Sequence, residues 1–277
     1  MTATDYSSWI GRNETSTSRF DADHAKRIAL TLGTAVPSDG APLPPLWTWA
    51  IFTDSAPTTE LGVDGHIKLG GFLPPVAGSN RMWAGGRVKF LKPLIIGTQG
   101  TKTSTILAIK EKEGRAGKLL FVTVGHEYRQ NGELAISEEQ DIVYRAPSPP
   151  NLTGSEAAPA SQWKRQIIPT STLLFRYSAI TFNTHRIHYD FPYVTEEEGY
   201  PGLVVHGPLI ATYMLNDFQQ ANPDKTITHF SYRGLRPLVS PTPFQIAGVI
   251  QEQGLAQVWA EQEGTLAHQA QIQWESR

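Results

Sequence analysis

At 277 residues, with 40% apolar and 18% charged side chains, the chain can bury one large core or two ordinary ones. A net charge of −2 without a block of either sign speaks against a nucleic-acid partner, and the absence of cysteine excludes disulfides, thiolate nucleophiles and cysteine-ligated metal centres. No run reaches the roughly 18 apolar residues of a membrane helix, and Met1 to Ile10 lacks the basic-then-apolar order of a secretory signal, so the expectation is a soluble, cytoplasmic protein with no membrane partner.

In chain order, residues 19–31 carry helical spacing with Asp21 as the N-cap. Phe90-Leu91-Lys92-Pro93-Leu94 then precedes a strand-like run at 103–109, followed by a second at 118–128. A tight turn at Asn131-Gly132-Glu133 leads into an alternating strand over 134–144. Residues 146–160 are rich in Pro, Ser and Ala without periodicity and read as a linker. Beyond it, an apolar helix begins at His206-Gly207-Pro208 and covers 209–218, with proline suited to the first turn.

The order of the first half then repeats. Gly234-Leu235-Arg236-Pro237-Leu238 precedes runs at 243–250 and 255–261, a turn at Glu263-Gly264-Thr265 and a last strand at 267–274. A single Leu-basic-Pro-Leu match arises easily by chance; four features in the same order do not. Long antiparallel strands with an apolar helix per half predict an α+β fold of two tandem repeats, each a curved sheet around a central helix. The predicted division is 1–146, a linker at 147–167, and 168–277.

The concentrated polar chemistry lies in the second half, where Asn183, His185, His188, Asp190 and His206 fall in one short stretch ahead of the apolar helix. One histidine in a polar loop more often caps a backbone group than reacts. Three histidines with an amide and an aspartate, at a helix start that offers free N–H groups and partial positive charge, point to a reactive site. Adding water to a double bond next to a thioester needs a group that handles the water's proton and donors that meet the enolate oxygen. Histidine suits the first task. For the second, Pro208 has no N–H, so Gly207 is the first candidate, with Leu209 next.

Asn183-x-His185-x-x-His188-x-Asp190 followed by Gly199-Tyr200-x-x-x-Val204-Val205-His206-Gly207 resembles the pattern of MaoC-like hydratases, Asp-x-Asn-Pro-Leu-His-x-Asp … Gly-Phe-x-x-x-Ile-Ala-His-Gly. Trp9-Ile10-Gly11-Arg12, Gly70-Gly71-Phe72-Leu73-Pro74-Pro75 and Met82-Trp83-Ala84-Gly85-Gly86-Arg87 are similar to segments of the FAS1-like dehydratase subgroup, so the resemblance extends over both halves. It implies a double hot-dog fold with a degenerate first half. It also implies an acyl-CoA hydratase or dehydratase acting on a short branched, dicarboxylic thioester such as itaconyl-CoA or mesaconyl-C4-CoA. A fatty-acid-type 3-hydroxyacyl-thioester dehydratase and a hot-dog thioesterase are the alternatives. The thioesterase needs a carboxylate on the central helix, where Asp217 stands late.

The chain departs from the general pattern at one position: the catalytic aspartate falls on Asn183 and the asparagine on His185. An amide cannot accept a proton, which leaves three arrangements open. His188 acts as the base while Asn183 holds the water; His185 supplies the second titrating group; or Asp190 orients a histidine. The favoured reading has His188 as acid/base and Gly207 N–H, with His206 beside it, on the thioester. Arg186 and Arg87 are the candidate cations for a second carboxylate or a CoA phosphate, with Arg81 and Arg233 also noted. Asp64-Gly65-His66 reads as a turn, with a contribution to the site from the first half as the less favoured alternative, His126 as a strand residue that faces solvent or packs, and Trp47, Trp49 and Trp83 as core. No metal or separate cofactor is expected, since the spacing of the histidines matches no zinc motif and CoA belongs to the substrate. An open sheet edge suggests a homodimer.

Overall fold

The computed structural model describes residues 5–76, 78–114 and 117–277. Its first half runs β1 (Asn13–Arg19), α1 (Ala22–Leu32), α2 (Thr48–Ile51), β2 (Asn80–Phe90), β3 (Gln99–Gly114), β4 (Gly117–Gln130) and β5 (Glu133–Arg145). The second runs β6 (Trp163–Ile167), α3 (Ser171–Ile180), α4 (Gly207–Ala221), β7 (Lys225–Gly234), β8 (Phe244–Glu252), β9 (Leu255–Gln262) and β10 (Thr265–Ser276).

Turn chemistry fixes the last hairpin of each half: both residues of Asn131-Gly132 and of Glu263-Gly264 take positive φ, as a two-residue hairpin turn requires. Sheet order completes the repeat. The strands form one sheet ordered β1-β3-β4-β5-β2-β7-β10-β9-β8-β6, so each half has the same five-strand arrangement. The halves join where β2 pairs antiparallel with β7, from Gly85 opposite Arg233 to Lys89 opposite His229. This is a double hot-dog. Four strands carry no clear signal in the sequence. Of these, β1 reads Asn-Glu-Thr-Ser-Thr-Ser-Arg and is mostly exposed, so it lacks the apolar alternation that marks a half-buried strand.

The halves differ at the centre. In the second, α4 is buried on nearly every side, by Leu209, Ile210, Ala211, Tyr213, Met214, Leu215 and Phe218, as befits a helix wrapped by a sheet. In the first, the central helix is cut to the single turn of α2, because the Thr-Asp-Ser-Ala-Pro that follows cannot continue it. The helix predicted around 19–31 is α1, capped by Asp21 accepting from His24 N at 2.8 Å, and it packs against its counterpart α3 rather than filling the sheet. The space left by the short α2 is partly covered by an irregular loop. Leu69, Phe72, Leu73 and Val76 pack on Ile106, Leu120, Val122, Val124 and Tyr144. No helix among the described residues is long and apolar enough to cross a membrane.

Candidate active site

Two loops from different halves meet at the N-terminus of α4. The loop after α3 carries Asn183 to Asp190, and the covering loop of the first half carries Asp64-Gly65-His66. Hydrogen bonds clamp them together: Arg186 N donates to Asp64 O at 2.9 Å, and the Thr184 hydroxyl donates to Gly65 O. Gly65 sits at φ +86°, and a Cβ there would collide with the Thr184 carbonyl. Only glycine allows this approach. The Asp64-Gly65-His66 turn is therefore also a wall of the site, the contribution from the first half that its sequence offered as the less favoured alternative.

The imidazoles form a row. His206 stacks on His188 with centroids 3.6 Å apart, His188 meets His185 edge-on at 5.4 Å, and His185 lies 4.0 Å from His66. Hydrogen bonds fix their tautomers. His188 Nδ1–H donates to Val204 O at 2.7 Å, which leaves the lone pair on Nε2. His66 Nδ1–H donates to Asp64 Oδ2 at 2.7 Å, with the same consequence for its Nε2. At the far end, His206 Nε2 and Ser178 Oγ are 2.8 Å apart. Asn183 Oδ1 accepts from His185 N at 3.0 Å, so its NH2 group is free to donate elsewhere.

Burial keeps the row neutral. It pushes His188 down to about 4, against the opposing Val204 bond, and holds His185 and His206 well below the usual histidine range. His66 is lowered by burial too; Asp64 opposes this and the Arg81 guanidinium adds to it. Burial acts to raise the Asp64 carboxyl, but the hydrogen bonds from His66, with the Arg81 guanidinium, override it and hold Asp64 at about 2.

These groups border a cavity of about 740 Å³ that opens into the space where the first half lacks its helix. His66, Arg81, Trp83, Asn183, Tyr177 and Pro208 stand on its wall, and His185, packed against His66 and bonded to Asn183, carries the row on to His188. Gly207 begins α4 after His206, whose backbone is extended, and the Gly207 N–H has no partner among the described residues. A Cβ at Gly207 would come within 2.6 Å of the Trp83 ring, so Trp83 lies directly against the candidate oxyanion donor. Trp49 and Trp83, expected in the core, line the cavity, as does His126, bonded to Ser104 at 2.9 Å; Trp47 is buried.

Three residues singled out from the sequence lie apart from this centre. Asp190 binds Arg186 Nε at 2.8 Å and accepts from Tyr193 N at 3.3 Å, which makes it a loop brace rather than a partner for a histidine. Arg186 is consumed by Asp190, by Val63 O at 2.9 Å and by the Tyr193 ring at 4.0 Å. Arg87 alternates to the other face of β2, half-exposed, and pairs with Glu139 and with Asp141 at 3.0 Å. Position in the sequence identified the segment but not the direction of each side chain. Asp217, the carboxylate a thioesterase would use, is buried in an ion pair with Arg165 at 2.6 Å, and no other carboxylate lies on α4.

Asp64, His66 and His185 also bring one ligand atom each within 4.8 Å of one another, the one such grouping among the described residues. Two histidines and a carboxylate can hold a divalent ion. Here the Asp64 and His66 side chains are already hydrogen-bonded to each other.

Comparison with known proteins completes the picture. A family model described as hydroxyacyl-thioester dehydratase type 2 matches residues 46–240. The mesaconyl-C(4)-CoA hydratase of Chloroflexus aurantiacus is 44% identical over 251 residues, covering 89% of both chains. The mitochondrial hydroxyacyl-thioester dehydratase type 2 of Schizosaccharomyces pombe is 29% identical over 234 residues, covering 74% of this chain and 77% of the relative. Among solved structures, HtdX of Mycobacterium tuberculosis shares the fold at 17% identity and a TM-score of 0.69, covering 94% of this chain and 99% of its own.

Proposed function

The chain belongs to the hydroxyacyl-thioester dehydratase type 2 family, and from that premise we propose that it is a hydro-lyase adding water reversibly to a short branched dicarboxylic enoyl-CoA, of which mesaconyl-C4-CoA is the first candidate and itaconyl-CoA the second. The observation that carries the reading is the unpartnered Gly207 N–H at the start of α4, beside neutral imidazoles with free Nε2 atoms. The 44% identity to the Chloroflexus aurantiacus hydratase supports the acyl group.

The reaction follows from the tautomers. A water molecule donates its hydrogens to His188 Nε2 and His66 Nε2 and accepts from the Asn183 amide, which leaves one lone pair aimed at the β-carbon. His188 takes a proton as the oxygen–carbon bond forms. The π electrons move onto the thioester oxygen, and the resulting enolate is held by Gly207 N–H. His188 then returns the same proton to the α-carbon. One O–H bond and one π bond are lost, one C–O and one C–H bond are gained, and the enzyme is restored. Asn183 thus serves as a donor to water, a task for which an amide is suited and a carboxylate is not.

CoA enters as part of the substrate, and no separate cofactor takes part. A second copy pairing along an open edge of the sheet, at β1 or β6, accounts for the expected homodimer. The test is a spectrophotometric screen of crotonyl-, itaconyl- and mesaconyl-C4-CoA with wild type and His188→Ala. Wild type is expected to consume the enoyl absorbance. The variant should fold normally and lose at least about 100-fold in kcat. Near-normal turnover by His188→Ala would sink the assigned role of His188.

A further inference from the structure

Hydration of mesaconyl-C4-CoA, the reading on which this step rests, presents a second carboxylate on the β-carbon, the carbon that receives the water oxygen. Its anchor must therefore be a cation beside the proton-handling groups. Arg186 and Arg87, the arginines favoured by position in the sequence, are committed to Asp190 and to Glu139 and Asp141. We propose that Arg81 binds this carboxylate and selects dicarboxylic over monocarboxylic enoyl thioesters.

Strand geometry places it. Arg81 and Trp83 are two residues apart on β2 with no bulge between them, so their side chains leave the same face, roughly 7 Å apart along the strand. Trp83 packs against Gly207, where the thioester oxygen is held. One step along the same wall brings the guanidinium to the other end of the diacid's four-carbon backbone. Arg81 also lines the cavity with His66 and Asn183, and its charge bears on Asp64, His66 and His185.

The partners of the other cavity cations separate Arg81 from them. Lys102 bonds Asp54 at 3.2 Å and Phe52 O at 3.3 Å, and Lys68 is exposed and bonds Thr59 O at 2.9 Å. Half-buried Arg81 has no carboxylate within ion-pair distance among the described residues, and the nearby Asp64 is taken by His66. A partly desolvated guanidinium without a direct ion-pair partner is costly, and a planar carboxylate arriving in the cavity satisfies it through two parallel hydrogen bonds.

The test compares kcat/KM of wild type, Arg81→Gln and Arg81→Lys on mesaconyl-C4-CoA and on crotonyl-CoA, with titration of CoA alone as a binding control. Arg81→Gln should lose about 100-fold on the diacid, lose at least about tenfold less than that on crotonyl-CoA, and bind CoA as wild type does. Arg81→Lys keeps the charge without the fork and should recover about tenfold of that loss. Equal losses on both substrates, or weakened CoA binding, would reveal a structural role and overturn the proposal, as would full activity of Arg81→Gln on the diacid. Wild type inactive on both thioesters would instead overturn the hydratase reading itself, and this proposal with it.

Discussion

Acidification is expected to destabilise this protein through its buried histidines. Burial lowers His188 and His268 each to about 4 in the folded state, while the unfolded chain titrates near 6.5. A depressed folded pKa means that the unfolded state binds more protons between those two values. The stability contribution is therefore complete above about 6.5 and is lost as pH falls towards 4. Between pH 7 and pH 5 each histidine removes about 2 kcal/mol of unfolding free energy, so the pair removes about 4 kcal/mol. His185 and His206 shift in the same direction and add to the loss. Urea unfolding at the two pH values measures this directly. His268→Gln, a change on β10 beside Gly207 and Gly234, should flatten the difference by about 2 kcal/mol. An unfolding free energy that is the same at pH 5 and pH 7, or a difference untouched by His268→Gln, would refute the claim that these imidazoles are held neutral by burial.

Two further substitutions test the geometry of the site. Gly65→Ala forces a side chain into the Thr184 carbonyl at a positive φ, so the two halves' loops should separate; kcat/KM is expected to fall more than about tenfold, with a melting temperature only a few degrees lower. Gly207→Ala drives a Cβ against the Trp83 ring, which displaces the helix start from the thioester oxygen, and steady-state kinetics should record a kcat loss of about 100-fold.

Much of this architecture was legible in the residues, and for identifiable reasons. Asn131-Gly132 announces its hairpin because Asn-Gly is one of the few pairs that tolerate positive φ twice, and Glu263-Gly264 does so through its glycine alone. The apolar run after Pro208 announces α4, since a helix buried on all sides has no polar face to hide it. β1 stayed hidden because its pairing with β3 uses backbone groups while its polar side chains face solvent. The truncation of the first central helix was also not foreseen, although the residues after α2 are poor helix formers, and that truncation creates the cavity.

At the site, the stretch from Asn183 to Gly207 declared itself by density of function, but only the fold decides which of its side chains meet. Asp190 and Arg186 satisfy each other one helical turn apart, a local ion pair that spacing alone could have suggested. His66 and Arg81 come from the other half, more than 100 residues away in the chain, and nothing local marks their approach to Asn183. The clearest sequence trace of it is Gly65, whose missing side chain lets the two loops touch.

The central claim is that this site moves water across a double bond and leaves the thioester intact. Incubation with mesaconyl-C4-CoA, followed simultaneously for enoyl-thioester absorbance and for free CoA thiol, tests it most directly. The account predicts loss of the absorbance to an equilibrium value, with a hydrated thioester as the product and no thiol released. Stoichiometric release of CoA, or unchanged absorbance at every enoyl thioester tried, would contradict it.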